Sequence, residues 1–221
     1  MAAGLAVLSA GDRLGATGDA ITAGLEGADL IELANQGSPD RAGGPISPAS
    51  PTIGTTGTTV PGSTTTIEID PDLPAHEQVG LEALAGITYP WQEILGDWTI
   101  EFQTTTDGLY GLTLVPERKI EIYVRPDQSP SMVRHVIAHE IGHAVDVTLN
   151  DGSDRRRWTE ARDIDAAPWW PESGAADFQT GAGDFAESFA AWQVGPSGFR
   201  SELAPPPNAV QIQLLAELSA S

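Results

Sequence analysis

At 221 residues, 40% of them hydrophobic, the chain can bury the core of one domain, and 24 glycines and 17 prolines imply much irregular backbone beside it. Its 31 acidic residues against 11 basic ones leave a net charge of −20, a field that repels phosphate backbones and anionic lipid surfaces and argues against nucleic acid as a partner. The lack of cysteine excludes disulfides, thiol nucleophiles and thiolate zinc sites, and no stretch approaches the roughly 18 apolar residues expected of a membrane span.

Residues 1–36 carry Leu5, Leu8, Ile21, Leu25, Leu30, Ile31 and Leu33 among many Ala and Gly, which predicts a helical segment broken near Gly15 and Gly18. Its apolar stripe is thin, so the segment is expected either to dock on another protein or to be only loosely ordered. Lys and Arg are missing before Arg13, unlike the basic start of a secretory signal, so export to a secreted or surface location would need another route. Residues 37–66 are rich in Gly, Pro, Ser and Thr, with Thr64-Thr65-Thr66 at the end, and read as a flexible linker. The folded domain is expected over 67–200, followed by a Pro-rich tail with a short helix over 201–221.

Within that domain Pro74 opens a helical pattern through Leu81, Leu84 and Ile87. Trp98 to Thr104, Leu109 to Val115 and Lys119 to Val124 read as strands, with Pro116-Glu117-Arg118 turning between the last two. Ser129 as cap and Pro130 in the first turn predict a helix running to about Leu149, stopped by Asn150-Asp151-Gly152. From Asp151 to Ala182 the chain is polar, with Arg155-Arg156-Arg157 expected to pair with acids or face solvent. Trp169-Trp170 is expected in a core or lid patch. Phe185 to Val194 and Val210 to Leu218 complete the helices.

The chemistry lies in His139-Glu140-Ile141-Gly142-His143, which holds two of the four histidines. Residues four apart share a helix face, so both imidazoles can grip one Zn²⁺. Glu140 beside the metal could then take a proton from its water. A third ligand is required. A Gly at 146 with a ligand at 149 would supply it in one arrangement, but this chain has Asp146 and Leu149. Gly183-Asp184-Phe185-Ala186-Glu187 offers carboxylates instead, with Glu187 the first choice and Asp184 the fallback or a partner hydrogen-bonded to a ligand. Asp146 either orients a ligand imidazole, or caps neighbouring backbone or pairs with an arginine of 155–157. His135, one turn before His139, is expected outside the ligand set.

With Asp184-Phe185-Ala186-Glu187-Ser188-Phe189-Ala190, the His139–Asp146 stretch resembles the zincin metallopeptidase family that includes the anthrax lethal factor catalytic domain and the Pro-Pro endopeptidases. The resemblance covers roughly residues 67–200 and implies an α+β zincin-like fold. Such a fold has a small twisted mixed sheet, an active-site helix and a C-terminal helical part, here with a flexible N-terminal extension. It implies His139, His143 and Glu187 as zinc ligands and Glu140 as general base. The family's oxyanion-stabilising Tyr, seven residues before the glutamate, is matched here by Thr180. Thr180 and Tyr123 are the candidates for that role, with Tyr110 and His135 as further substitutes.

The expected activity is therefore zinc-dependent endopeptidase hydrolysis of a peptide or protein lying extended along an edge strand. The acidic charge would favour basic peptides, and proline-containing substrates follow from the resemblance alone. The rival is a non-catalytic zinc-binding interaction module, tethered by its linker, with a vestigial peptidase fold.

Overall fold

A computed structural model describes residues 70–104, 108–171 and 176–220. The N-terminal segment 1–36 and the linker 37–66 thus lie outside the described residues. The described part is a mixed α+β unit of one small sheet and six α-helices. In chain order these are α1 (Ala75–Leu84), α2 (Trp91–Leu95), β1 (Thr99–Gln103), β2 (Gly111–Leu114), β3 (Lys119–Tyr123), α3 (Pro130–Leu149), α4 (Gly152–Arg162), α5 (Gly181–Val194) and α6 (Ala209–Leu218). A 3-10 turn, Asp177–Gln179, precedes α5.

The sheet order is β1-β3-β2, with β3 parallel to β1 and antiparallel to β2. Among the described residues Lys119–Tyr123 is therefore the central strand, and β1 and β2 are the edges. Alternation sends Ile120 and Ile122 into the core, while Glu121 and Tyr123 take the opposite face. Thr113 pairs with Ile120 and Gly111 with Ile122, so both β2 residues share the face that packs on α3.

Local sequence explains α3 well. The Ser129 hydroxyl accepts the Met132 N–H at 3.2 Å, and Pro130 occupies the first turn, where its missing N–H costs nothing. Val133, Val136, Ile137, Ile141, Ala144 and Val145 are buried along it. Helix α5 crosses at Gly142, where a Cβ would stand 2.8 Å from Ala186 Cα and 3.0 Å from Phe189 Cβ. Only a residue without a side chain permits that approach. Phe185 and Phe189 fill the interface completely, each gaining about 1.5–3 kcal/mol from burial.

Two regions depart from the sequence expectation. The stretch after Asp151, read from sequence only as polar and assigned no helix, begins with α4. Its apolar signal is faint because only Trp158 and Arg162 are buried. What forms it is a capping box: Asp151 accepts the Ser153 and Asp154 N–H groups, and Asp154 accepts the Asp151 N–H. The boundary expected at residue 200 also falls inside a packed unit. Leu215 and Leu218 lie in the core, Tyr89 Oη donates to Ser219 O at 2.7 Å, and Arg162 Nη2 donates to Pro205 O at 2.7 Å. Among the described residues no helix is long and apolar enough to cross a membrane.

Candidate metal centre

Helix α3 delivers His139 and His143 one turn apart, with ring centroids 4.8 Å apart and Nε2 atoms 3.1 Å apart. The third member is Asp177, on the 3-10 turn. Its Oδ2 lies 3.2 Å from His139 Nε2 and 3.6 Å from His143 Nε2. The turn is clamped onto the start of α5. The Thr180 N–H and hydroxyl both donate to Asp177 O, at 2.9 and 2.8 Å, while Thr180 Oγ1 accepts the Gly183 N–H. A Cβ at Gly183 would run into the Asp177 carbonyl, so glycine there lets the turn close.

His139, His143 and Asp177 are nearly or wholly buried, and neither Asp177 oxygen has a hydrogen-bond partner. Orphaned carboxylate oxygens beside two facing ring nitrogens are costly unless something cationic joins them. The separations suit such a joint: three donors on a tetrahedral ion with ~2.0–2.1 Å bonds sit ~3.3 Å from one another. The three residues together could hold a metal ion.

Glu140 adjoins this group under β2. Thr113 Oγ1 donates to its Oε2 at 2.7 Å, and a Cβ at Gly111 would stand 2.5 Å from its Oε1. Gly111 and Thr113, neither singled out from sequence, thus make room for the carboxylate and aim it.

Glu187 does not join the Nε2 atoms. Its Oε1 accepts from His139 Nδ1 at 2.8 Å and from His135 Nε2 at 3.2 Å, and its Oε2 accepts the Arg200 N–H at 2.6 Å. The carboxylate expected as third ligand therefore lies on the far side of the His139 ring, and Asp177 Oδ2 is the carboxylate oxygen that faces the two Nε2 atoms. Asp184 is turned away altogether, gripped at both oxygens by Arg162 and reached by Trp158 Nε1 and Ser201 Oγ. Asp146 accepts from Arg155 Nε at 3.0 Å and Trp169 Nε1 at 3.0 Å, and His143 Nδ1 is buried without a partner. The pairing with an arginine, one of its expected roles, is present.

Both oxyanion candidates are likewise committed elsewhere. Thr180 is fully buried and spends its hydroxyl on the Asp177 carbonyl and the α5 cap. Tyr123 lies on the sheet face away from α3, donating to Glu121 Oε2 at 2.6 Å. Tyr110 precedes Gly111, with the Arg125 guanidinium 4.4 Å and the Arg200 guanidinium 6.0 Å from its ring centroid. Phe178 lies edge-on to His139, 5.8 Å between ring centroids, and 6.0 Å from the same Arg200. Phe178, Arg200 and Tyr110 together bridge from the 3-10 turn to β2.

Electrostatics follow from burial and neighbours. Burial opposes the cation at His139, but the Asp177 and Glu187 carboxylates outweigh it and push the ring up to about 10. Burial likewise opposes ionisation of Asp177, yet the His143 and His139 rings hold its carboxyl down at about 2. Glu187 is held well below the usual range by His135 and His139 against its own desolvation. Glu140 moves the other way: burial pushes it up, only partly countered by His139, His143 and Thr113. Asp177, kept ionised, and Glu140, kept prone to hold a proton, thus both lie close to the same two histidines.

Sequence reasoning missed Asp177 because it lies in the polar stretch after Asp151, with no spacing linking it to the histidines. Its one local signal is Asp177-Phe178-Gln179-Thr180 directly ahead of α5. Fold and site together define a mixed α+β protein with a buried His-His-Asp cluster able to hold a metal. Compared with known proteins, the chain matches no family model, no curated protein and no solved structure.

Proposed function

We propose that the protein is a zinc-dependent endopeptidase of the zincin type, with His139, His143 and Asp177 holding the ion and Glu140 as general base. The observation that carries this reading is the convergence of His139 Nε2, His143 Nε2 and Asp177 Oδ2, with an upshifted, Thr113-oriented Glu140 beside them. Zn²⁺ bound there would supply a water of pKa lowered towards about 7 and polarise a substrate carbonyl. Glu140 receives a proton at its carboxylate and passes it to the leaving amine, a role suited to a carboxyl group raised by burial. Thr113 keeps the carboxylate aimed while it does so. Of the two edge strands β2 is the one against Glu140, so it is the strand along which an extended peptide would lie. Phe178, Arg200 and Tyr110 border the site between the 3-10 turn and β2.

A two-histidine, one-carboxylate set also suits Fe²⁺. The glutamate beside the histidines favours hydrolysis, since it gives the site a base.

The rival non-catalytic module draws support from one observation: Thr180 and Tyr123 are both engaged elsewhere. Metal analysis with a peptide-library cleavage assay separates the readings. Glu140→Gln is expected to keep stoichiometric zinc and lose cleavage. Cleavage at the unsubstituted rate in that variant would sink the mechanism. Zinc without cleavage in the unsubstituted protein would favour the rival, and iron in place of zinc would move the reading to oxygen chemistry.

A further inference from the structure

His135 and Glu187 stand outside the ligand triangle, yet they are 4% and 1% exposed, deep beside it. An ionised carboxylate can only accept hydrogen bonds, so the two ring nitrogens on Glu187 Oε1 must both be donors. As a metal ligand, with one hydrogen left on its ring, His139 would then carry it on Nδ1, 2.8 Å from Glu187, and present Nε2 to the space shared with His143 and Asp177. Nδ1 ligation would instead require the ring to turn away from both.

Glu187 could not enforce this if its carboxylate swung freely. Its Oε2 is held by the Arg200 N–H at 2.6 Å, and its Oε1 by His135 Nε2 at 3.2 Å. His135 sits one helical turn before His139, so α3 itself sets the spacing between the ring that ligates and the ring that braces. The loop after α5 closes on the brace. Gly198 adopts φ 97°, and a Cβ there would stand 3.6 Å from His135 Nδ1. A Cβ at that distance would be in ordinary contact, so it is the positive φ that favours glycine here.

We propose that His135 is a positioning residue of the metal centre, holding Glu187 so that His139 presents Nε2, and not Nδ1, to the ion. This rests on the metal-binding reading above and adds an outer brace to it: His135 to Glu187 to His139. Such partners outside the ligand set tune ligand orientation and basicity.

The test compares His135→Ala and His135→Gln in the full chain, by zinc affinity in chelator competition and by the visible spectrum of the Co²⁺-loaded protein. Far-UV circular dichroism and urea unfolding follow the fold. His135→Ala is expected to weaken zinc about 10- to 100-fold and to change the cobalt spectrum. His135→Gln, whose side-chain amide can still donate to Glu187, should recover most of the loss. Unchanged zinc affinity and cobalt spectrum in His135→Ala would overturn the proposal. So would a glutamine variant as weak as alanine. A readout needing no variant is imidazole ¹⁵N NMR of the zinc-loaded, unsubstituted protein. Hydrogen on His139 Nδ1 and His135 Nε2 is expected, and hydrogen on His139 Nε2 overturns the idea. Failure of the unsubstituted chain to take up zinc or cobalt would overturn the metal reading itself, a result distinct from binding that ignores His135.

Discussion

Replacing Asp177 with Asn and Glu187 with Gln, each close to isosteric, separates a ligand from a group that orients one. Structural zinc sites are worth about 10–16 kcal/mol over four donors, so one donor accounts for roughly 3–4 kcal/mol. Asp177 Oδ2 lies within 3.2 and 3.6 Å of the two Nε2 atoms and has no other partner to retain it. Asp177→Asn exchanges an anionic donor for a neutral amide, and zinc affinity should fall by roughly 10²- to 10³-fold. Of the three residues proposed to hold the ion, Glu187 touches only His139, at its far nitrogen, 2.8 Å away. Loss of such a partner costs about 10- to 100-fold, and glutamine can still accept from His139, which places Glu187→Gln near the lower end. The assay is zinc titration against a chromophoric chelator, with circular dichroism confirming that both variants fold. The reverse order, Glu187→Gln losing the metal while Asp177→Asn keeps it, would refute the assignment and put the ion on Glu187.

Arg162→Ala should destabilise the protein by about 3–5 kcal/mol, because Asp184, fully buried, loses its paired cation. Urea unfolding measures this, and a loss below about 1 kcal/mol would show that the pair contributes little. With metal chelated, stability should vary with pH in a defined way. His139, raised from 6.5 to about 10, adds stability that is full below pH 6.5 and is lost as pH rises towards 10. Asp177, lowered from 3.8 to about 2, adds stability present above 3.8 and lost as pH falls towards 2. Glu140, pushed up from 4.5 by burial, adds to the loss on the alkaline side. Thermal melts in chelator should therefore peak near pH 4.5, where Asp177 is already ionised, and fall as Glu140 and then His139 lose their protons. A melting temperature that climbed from pH 6.5 to 9 would contradict the electrostatic account.

Helix α3 was readable from sequence alone, from its Ser129 cap to its end at Leu149, because its determinants are local: a cap, a proline in the first turn, and an apolar back on a 3.6-residue period. The same holds for the β2–β3 hairpin and the spacing that puts His139 and His143 on one face. Helix α4 was not readable that way, since it buries only Trp158 and Arg162 and is started by polar caps. Asp184 and Glu187 were expected to serve one site because they lie three apart on α5. They serve two, since the crossing of α5 over α3 at Gly142 sets α5 so that Glu187 meets His139 while Asp184 meets Arg162 on α4.

The sequence by itself thus determined the two histidines, the glutamate beside them and the helix that spaces them, because hydrogen bonding within one helix decides all three. Which carboxylate faces the histidine nitrogens was decided only by tertiary structure. That choice depends on how α5 packs on α3 and how the Thr180 cap folds Asp177 inward, contacts between residues distant in the chain that no local pattern records.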